Sequence, residues 1–342
     1  MKYLFILLPI VCLILLQGCE QQLPLPPKNG ASRGVVYAEL VANDEPEVRV
    51  GKSKPVSGPY LDNGFQLVED ANVQLMDKNG MVLETLSYVD DSTNPMSVYR
   101  GKTKLDAGKN YKLQVNVPTL KPITAMASIP PPFKVDLQDT LRSLLNGRPV
   151  LRFHFTVYPL PGVKQYLVME ALKQSVDVDT TFMYQGVRYR KSEHANWYDL
   201  VKNSPGAQAR KDSFFLNDYL RIPCYTQDEN ADNNQVGGLN ENYNSILFTQ
   251  LGKPLTTYFY INATALSSDP TEGIVPVGRV LVYVKSVSKE YYDFLLTYEK
   301  VKRNPGLNSL IQAIQLKSNT AGGLGIVGGS YQRVYYLYYD NL

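Results

Sequence analysis

Apolar and polar residues follow a strand-like pattern over the first third of the chain beyond its N-terminal segment. Residues 35–41 are mostly apolar, and residues 108–117 alternate between apolar and polar side chains, which is typical of a strand with one buried face. Asn79-Gly80 stands between two apolar segments, and this dipeptide is a strong signal for a β-hairpin. Short strands separated by turns predict an immunoglobulin- or transthyretin-like β-sandwich over residues 35–130.

The pattern is less regular after Pro130-Pro131-Pro132, which marks the expected domain boundary. Residues 150–157 alternate strictly, and we expect residues 165–171 to pair with them across a turn at 160–162. Further strands are expected in three segments, residues 246–249, 257–262 and 278–286. Residues 177–244 are polar and receive no assignment. The fold class is therefore mainly β, with a second β-rich domain over residues 133–342.

One helix is predicted with clear boundaries, over about residues 288–303. Ser288 is a suitable N-cap, and Glu290 lies in the first turn, where the helix dipole favours an acidic side chain. Four apolar side chains recur at helical spacing: Tyr291, Phe294, Leu295 and Tyr298. Pro305-Gly306 ends the helix. A shorter amphipathic helical segment is expected at 307–316.

The N-terminal segment is apolar from residue 3 to residue 16, which is too short to span a bilayer and has the length of a signal-peptide core. Leu16-Gln17-Gly18-Cys19 resembles the bacterial lipobox. We therefore expect a lipoprotein signal peptide over residues 1–18, lipidation of Cys19, and a proline-rich tether over residues 19–34. An ordinary secretory signal with a chance cysteine is the alternative.

Composition narrows the function classes. The chain has 35 basic and 32 acidic residues, and the basic residues form no long cluster, so nucleic-acid binding is not indicated. Beyond the signal, no apolar run approaches the length of a transmembrane helix. Cys224 is the one thiol expected to remain after processing and lipidation. A lone cysteine between apolar residues is typical of a small buried side chain rather than a nucleophile.

Candidate catalytic and metal-binding groups are few. His154 lies on a strand and His194 in an expected surface loop, and neither has the spacing of a zinc ligand. Asp228 and Asp232 are candidate calcium ligands, but their segment lacks the glycine and the closing glutamate of an EF-hand, which favours a solvated acidic loop. The glycine-rich residues 322–329 lack a Walker lysine and are expected to form a turn that passes close to another element. We expect no cofactor.

The final strand, expected over residues 331–339, is rich in tyrosine. Its tyrosines are Tyr331, Tyr335, Tyr336, Tyr338 and Tyr339. Because side chains alternate between the two faces of a strand, one set is expected to pack in the core. The other set is a candidate contact for a glycan, a peptide or a protein partner.

Several short segments, taken in order, resemble a family of Bacteroidota outer-membrane lipoproteins of unknown function. They are Cys19-Glu20, residues 35–40, 48–50, 71–80, 108–113 and 125–132, Tyr-Tyr-Asp-Phe at 291–294, Ser-Asn at 318–319 and Gly-Gly-Leu-Gly-Ile-Val-Gly at 322–328. Genes of this family often lie beside those of TonB-dependent receptors. The resemblance implies an outer-membrane location, with the periplasmic and cell-surface faces both open. It assigns no catalytic residue.

These observations favour a non-enzymatic lipoprotein that is accessory to an outer-membrane TonB-dependent transporter, through substrate capture or receptor docking. The alternative is a structural or adhesion lipoprotein without a transport partner. An enzyme of another type is the third hypothesis, and it would depend on His154, Cys224 or the acidic residues at 228–232.

Overall fold

The computed structural model describes residues 32–53, 65–91, 96–215, 219–233, 242–263, 277–303 and 316–338. The fold is mainly β, as predicted, with 56% of the described residues in strands and 9% in helices. The predicted signal peptide, Cys19, most of the tether, residues 307–315 of the predicted second helical segment, and Tyr339 lie outside the described residues. Within these ranges, neither helix is long and apolar enough to cross a bilayer.

The described residues between 34 and 128 form eight strands. They are β1 (Gly34–Val41), β2 (Glu47–Ser53), β3 (Phe65–Leu67), β4 (Asn72–Asp77), β5 (Val82–Val89), β6 (Ser97–Arg100), β7 (Asn110–Asn116) and β8 (Ile123–Ser128). The predicted hairpin is confirmed: β4 pairs antiparallel with β5. Its turn is closed by Asp77, whose Oδ1 accepts hydrogen bonds from the backbone N–H groups of Asn79 and Met81, and Gly80 takes a positive φ of 89°.

In the described part of the remaining chain there are eleven further strands and two helices. The strands are β9 (Val135–Leu145), β10 (Arg148–Val157), β11 (Gln165–Tyr184), β12 (Val187–Arg190), β13 (Gln208–Phe215), β14 (Leu220–Ile222), β15 (Cys224–Tyr225), β16 (Ile246–Gln250), β17 (Leu255–Asn262), β18 (Val277–Val287) and β19 (Leu324–Tyr338). The helices are α1 (Ala195–Val201) and α2 (Lys289–Arg303). The unassigned residues 177–244 thus hold the end of β11, strands β12 to β15, and α1.

The described strands form two sheets. The larger one runs β12-β11-β18-β19-β1-β2-β6-β5-β4-β7-β8, and the smaller one runs β15-β17-β10-β9. They pack face to face: the ring of Phe155 on β10 lies 5.3 Å from that of Tyr335 on β19, measured between centroids. Residues from both sheets share one large cluster of buried apolar side chains.

The first strand pairs with the last one. β1 lies parallel to β19, with Val35 opposite Leu324 and Val41 opposite Ser330. The larger sheet therefore joins N-terminal and C-terminal strands, although the division of the chain into domains at residues 130–132 stays a prediction.

The expected hairpin between residues 150–157 and 165–171 is wrong. β10 pairs with β9 and β17, whereas β11 pairs with β18, β16, β14, β13 and β12. The reason is that both edges of β10 are occupied, one by β9 and the other by β17. Asn146 and Gly147 take positive φ angles of 50° and 77°, which suits a two-residue hairpin turn and joins β9 directly to β10.

The expected glycine-rich turn at residues 322–329 is also wrong in its main point, because β19 already begins at Leu324. The expected close approach to another element is confirmed. A Cβ atom on Gly325 would lie 1.8 Å from the backbone oxygen of Val36, and one on Gly329 would lie 2.3 Å from that of Ser128. Glycine therefore lets β19 run in contact with β1 and β8.

Candidate functional site

A cavity of about 710 Å³ lies between α2 and the larger sheet. We call it the α2 pocket. Its walls are mainly apolar and come from β1, α2 and β19: Val36, Tyr37, Phe294, Leu295, Tyr298 and Ile326. Its polar lining includes Arg49, Glu170, Arg221 and Lys317. A cavity of this size, with apolar walls and few polar groups, is typical of a small-molecule site.

The position of α2 follows from local sequence. Ser288 caps the helix as predicted, with its Oγ accepting a hydrogen bond from the backbone N–H of Tyr291 at 3.4 Å. The backbone N–H of Ser288 donates to the carbonyl of Gly329 on β19 at 2.8 Å. A Cβ on Gly328 would lie 2.3 Å from Cγ of Tyr291, so the absence of a side chain there lets the ring of Tyr291 rest on β19. These contacts fix one wall of the α2 pocket.

Four charged side chains form a network beside the pocket. Nζ of Lys285 on β18 lies 3.0 Å from Oε1 of Glu39 on β1 and 2.6 Å from Oε1 of Glu170 on β11. Nη1 of Arg221 on β14 lies 2.5 Å from Oε2 of Glu170. The side chains of Lys285 and Glu170 are each only 9% exposed. Lys285 and Glu170 thus pair away from water, as buried charges require, whereas Arg221 joins the network with a side chain that is 43% exposed.

Hydroxyl groups complete this network. Tyr291 donates from its OH to Oε2 of Glu39 at 3.0 Å, and the hydroxyls of Tyr291 and Tyr37 are 2.9 Å apart. Ser330 donates to Oε1 of Glu39 at 2.8 Å. Glu39 therefore has hydrogen-bond partners on both of its oxygens.

The environment fixes the protonation states of these groups. Burial alone would raise the pKa of Glu170, but Lys285 and Arg221 outweigh burial and lower it to about 2. Burial alone would lower the pKa of Lys285, but Glu170 and Glu39 raise it above its ordinary value. Burial and then Glu39 raise the pKa of the Tyr291 hydroxyl well above its ordinary value. At neutral pH the side chains of Glu170 and Lys285 therefore stay charged, and the hydroxyl of Tyr291 stays neutral.

The predicted contact tyrosines with described side chains lie away from the α2 pocket and divide between the two faces of β19. Tyr331 is buried, and its ring meets Phe133 edge-on at 5.8 Å between centroids. Tyr335 packs against the core and donates from its OH to the carbonyl of Val135 at 3.0 Å. Tyr336 is 52% exposed, whereas the side chain of Tyr338 and all of Tyr339 lie outside the described residues.

The two acidic candidates for calcium accept hydrogen bonds from other groups of the protein. Oδ1 of Asp228 accepts hydrogen bonds from the backbone N–H and the side-chain amide of Asn230, both at 2.9 Å. Asp232 accepts a hydrogen bond from the hydroxyl of Tyr292 on α2. In the described part of the chain, no three His, Cys, Asp or Glu side chains come close enough together to hold a metal ion.

The remaining candidate catalytic residues are also separate from one another. Nδ1 of His154 lies 3.1 Å from Oδ2 of Asp139, and its ring stacks on Tyr258 of the smaller sheet. His194 is exposed and directly precedes α1. Cys224 is fully buried, as its sequence context predicts, and burial raises the pKa of its thiol.

Sequence reasoning missed the charged network. A signal was present, because Glu39, Glu170 and Lys285 each stand alone in an otherwise apolar strand segment: Tyr-Ala-Glu-Leu-Val, Leu-Val-Met-Glu-Ala-Leu and Val-Tyr-Val-Lys-Ser-Val. A lone ionisable residue in a buried strand needs a partner of opposite charge. Which residues pair could not be read from the sequence, since β1, β11 and β18 are far apart along the chain.

Comparison with known proteins places the chain in one family. Residues 22–335 match the family described as "Domain of unknown function (DUF4249)". No curated protein matches the chain. Among solved structures, the chain is similar to trypsin-activated alpha-2-macroglobulin from Escherichia coli at 8% identity and a TM-score of 0.20, over 77% of this chain. It spans 15% of the length of that protein.

Proposed function

This chain belongs to the DUF4249 family, and from that premise we propose that it is a lipid-anchored, non-enzymatic accessory of an outer-membrane TonB-dependent transporter. In this role Cys19 anchors the protein, and the α2 pocket captures a small substrate for the receptor. The lipobox-like motif and the order of the family segments support the location. The geometry of the α2 pocket supports the binding role.

The observation that carries the proposal is the combination of an apolar cavity with a fixed ionic network. The cavity of about 710 Å³ has walls from three elements that pack against one another. Glu170, which lines the cavity, already has partners within the protein, because Lys285 and Arg221 hold its carboxylate. A wall supported in this way is preorganised, so that little ordering of side chains opposes binding.

The protonation states at the pocket favour binding over acid–base catalysis. A general acid or base works best when its pKa lies near the working pH. At the α2 pocket the pKa of Glu170 is lowered to about 2, and those of Lys285 and Tyr291 are raised above their ordinary values. These shifts move each group away from neutrality, which supports a role in structure and recognition.

The test is to solubilise the outer membrane gently, capture the full-length protein through a C-terminal tag, and identify what co-purifies. A near-stoichiometric TonB-dependent receptor is the expected result. A capture that stays empty after chemical cross-linking would overturn the transporter role and favour a structural or adhesion lipoprotein. Activity of the purified protein on a hydrolase panel would overturn the non-enzymatic role.

The exposed Tyr336 allows a sharper form of this test. Tyrosine and arginine are common at the centres of protein interfaces, and the guanidinium carbon of Arg279 lies 4.7 Å from the centroid of the Tyr336 ring. If this face of β19 docks on the receptor, Tyr336→Ala reduces the amount of receptor captured. The matched control is Tyr88→Ala, which removes another exposed strand tyrosine, on β5.

A further inference from the structure

The charges that line the α2 pocket differ in their access to solvent. Its carboxylates are buried: the side chain of Glu170 is 9% exposed, and Glu299 as a whole residue is 2% exposed. Its cations are accessible, because the side chain of Arg221 is 43% exposed, that of Arg49 is 42% exposed, and Lys317 is exposed. A ligand that enters the pocket therefore meets positive charge first.

Arg221 is placed to use that charge in recognition. Its Nη1 donates to Oε2 of Glu170 at 2.5 Å and to the carbonyl of Asn244 at 3.3 Å, which fixes the guanidinium plane at the edge of the pocket. Of the residues that the structure describes, none accepts a hydrogen bond from its Nε or Nη2. A guanidinium anchored through one nitrogen offers the others as a fork, the geometry that suits a carboxylate.

The rest of the pocket is suited to an apolar body. Phe294 and Tyr298 of α2 stack on each other with 6.1 Å between ring centroids, and Tyr37 meets Phe294 at the same distance from the sheet side. Leu295 and Ile326 complete this surface. Burying apolar ligand area against it supplies most of the affinity, while one polar contact fixes orientation.

We infer that the α2 pocket binds an organic carboxylate with an apolar body, whose carboxylate is held by Arg221 and whose body lies against α2. This inference rests on the proposed function, and it names the chemical class of the captured substrate. A cationic ligand is disfavoured because Glu170 is buried and is already held by two cations of the protein, Arg221 and Lys285.

The test uses the full-length lipidated protein in lipid nanodiscs, with empty nanodiscs as the blank. Equilibrium dialysis compares three probes that share one ring system: 2-naphthoate, its neutral amide 2-naphthamide, and the cation 2-naphthylmethylammonium. We expect 2-naphthoate to bind about tenfold more tightly than the amide, as a charge-assisted hydrogen bond implies, and the cation to bind more weakly than either.

Four variants assign the preference to its residues. Arg221→Gln removes the preference for 2-naphthoate over the amide, while Arg221→Lys keeps part of it. Tyr298→Ala weakens both probes by the same factor, since it removes only wall area. The control, Arg142→Gln, removes an exposed arginine from β9 of the smaller sheet and changes neither affinity. Thermal unfolding of each variant confirms that it is folded.

The outcomes separate this inference from the proposed function. If all three probes bind with equal affinity, or if the cation binds best, the carboxylate assignment is overturned while capture in the pocket stands. If the preference survives Arg221→Gln, the assignment to Arg221 is overturned. If no probe binds the wild-type protein, substrate capture by the α2 pocket fails together with the ligand class. The wild-type comparison decides the ligand class even where Arg221→Gln does not fold.

Discussion

Lys285 is the centre of the buried network, and replacing it tests how that network supports the fold. Its Nζ lies 3.0 Å from Oε1 of Glu39 and 2.6 Å from Oε1 of Glu170. Lys285→Met keeps most of the length of the side chain and removes the charge. The two carboxylates then remain between β1, β18 and β11 with no cation between them.

The expected loss of stability is large. Removing one member of a buried ion pair costs about 3–5 kcal/mol, because the remaining charge is left desolvated. Lys285 balances two carboxylates and its side chain is 9% exposed, so we expect a loss in this range. The matched control is Lys289→Met on α2, whose partner Asp293 is one turn away and whose side chain is 58% exposed. An exposed pair of this kind contributes about 0.5 kcal/mol or less.

The assay is equilibrium unfolding in urea at pH 7, which gives the free energy of unfolding of each variant. The double variant Lys285→Met with Glu39→Gln is expected to be more stable than Lys285→Met alone, because Glu39 loses its cation in the single variant whereas Glu170 keeps Arg221. If Lys285→Met costs no more than Lys289→Met, the buried network does not stabilise the fold and the reasoning is refuted.

Four other predictions follow from single residues. The pKa of Glu170 is lowered to about 2 in the folded state, so its stabilising effect is complete above its ordinary pKa and is lost as the pH falls toward 2. Between pH 5 and pH 2, the melting temperature of Glu170→Gln should therefore fall less than that of the wild type, and equal falls would contradict this. Gly325 has a φ of 114° and lies in contact with the backbone of β1, so Gly325→Ala is expected to cost more than about 3 kcal/mol in urea unfolding, and a wild-type midpoint would refute the close approach. Cys19→Ser is expected to move the protein from the membrane fraction to the soluble fraction with an unchanged melting temperature, and retention in the membrane would contradict the lipobox. The buried Cys224 is expected to react with iodoacetamide only after unfolding, and rapid alkylation of the native protein would show that its strand opens.

Local sequence signals predicted the elements better than their partners. The β4–β5 hairpin and α2 were predictable because Asn79-Gly80 and the Ser288 cap act within a few residues. The same dipeptide signal is present at Asn146-Gly147, where it joins β9 to β10, but no local signal identifies β17 as the strand on the other edge of β10. The parallel pairing of β1 with β19 has no local signal, since it joins opposite ends of the chain.

The α2 pocket likewise depends on contacts between distant segments, which local sequence signals do not predict. Its aromatic wall on α2 was predictable as a helix face, but the sequence gives no sign that this face leaves a cavity over β1 and β19. The network around Lys285 depends on residues from four strands, and each pair is more than fifty residues apart along the chain. The tyrosines of β19 were correctly expected to include core residues, since Tyr331 is buried and Tyr335 packs against the core. Of the three whose side chains the structure describes, Tyr331, Tyr335 and Tyr336, none lines the pocket.

The most direct test of the account is to ask whether the α2 pocket carries a ligand from the cell. The wild-type protein and a Leu295→Trp variant, whose added ring fills the pocket, are purified in parallel from outer membranes, and their small-molecule extracts are compared by mass spectrometry. An apolar carboxylate is expected to be enriched with the wild type and lost from the folded variant. The same extract from both proteins would contradict binding in the α2 pocket.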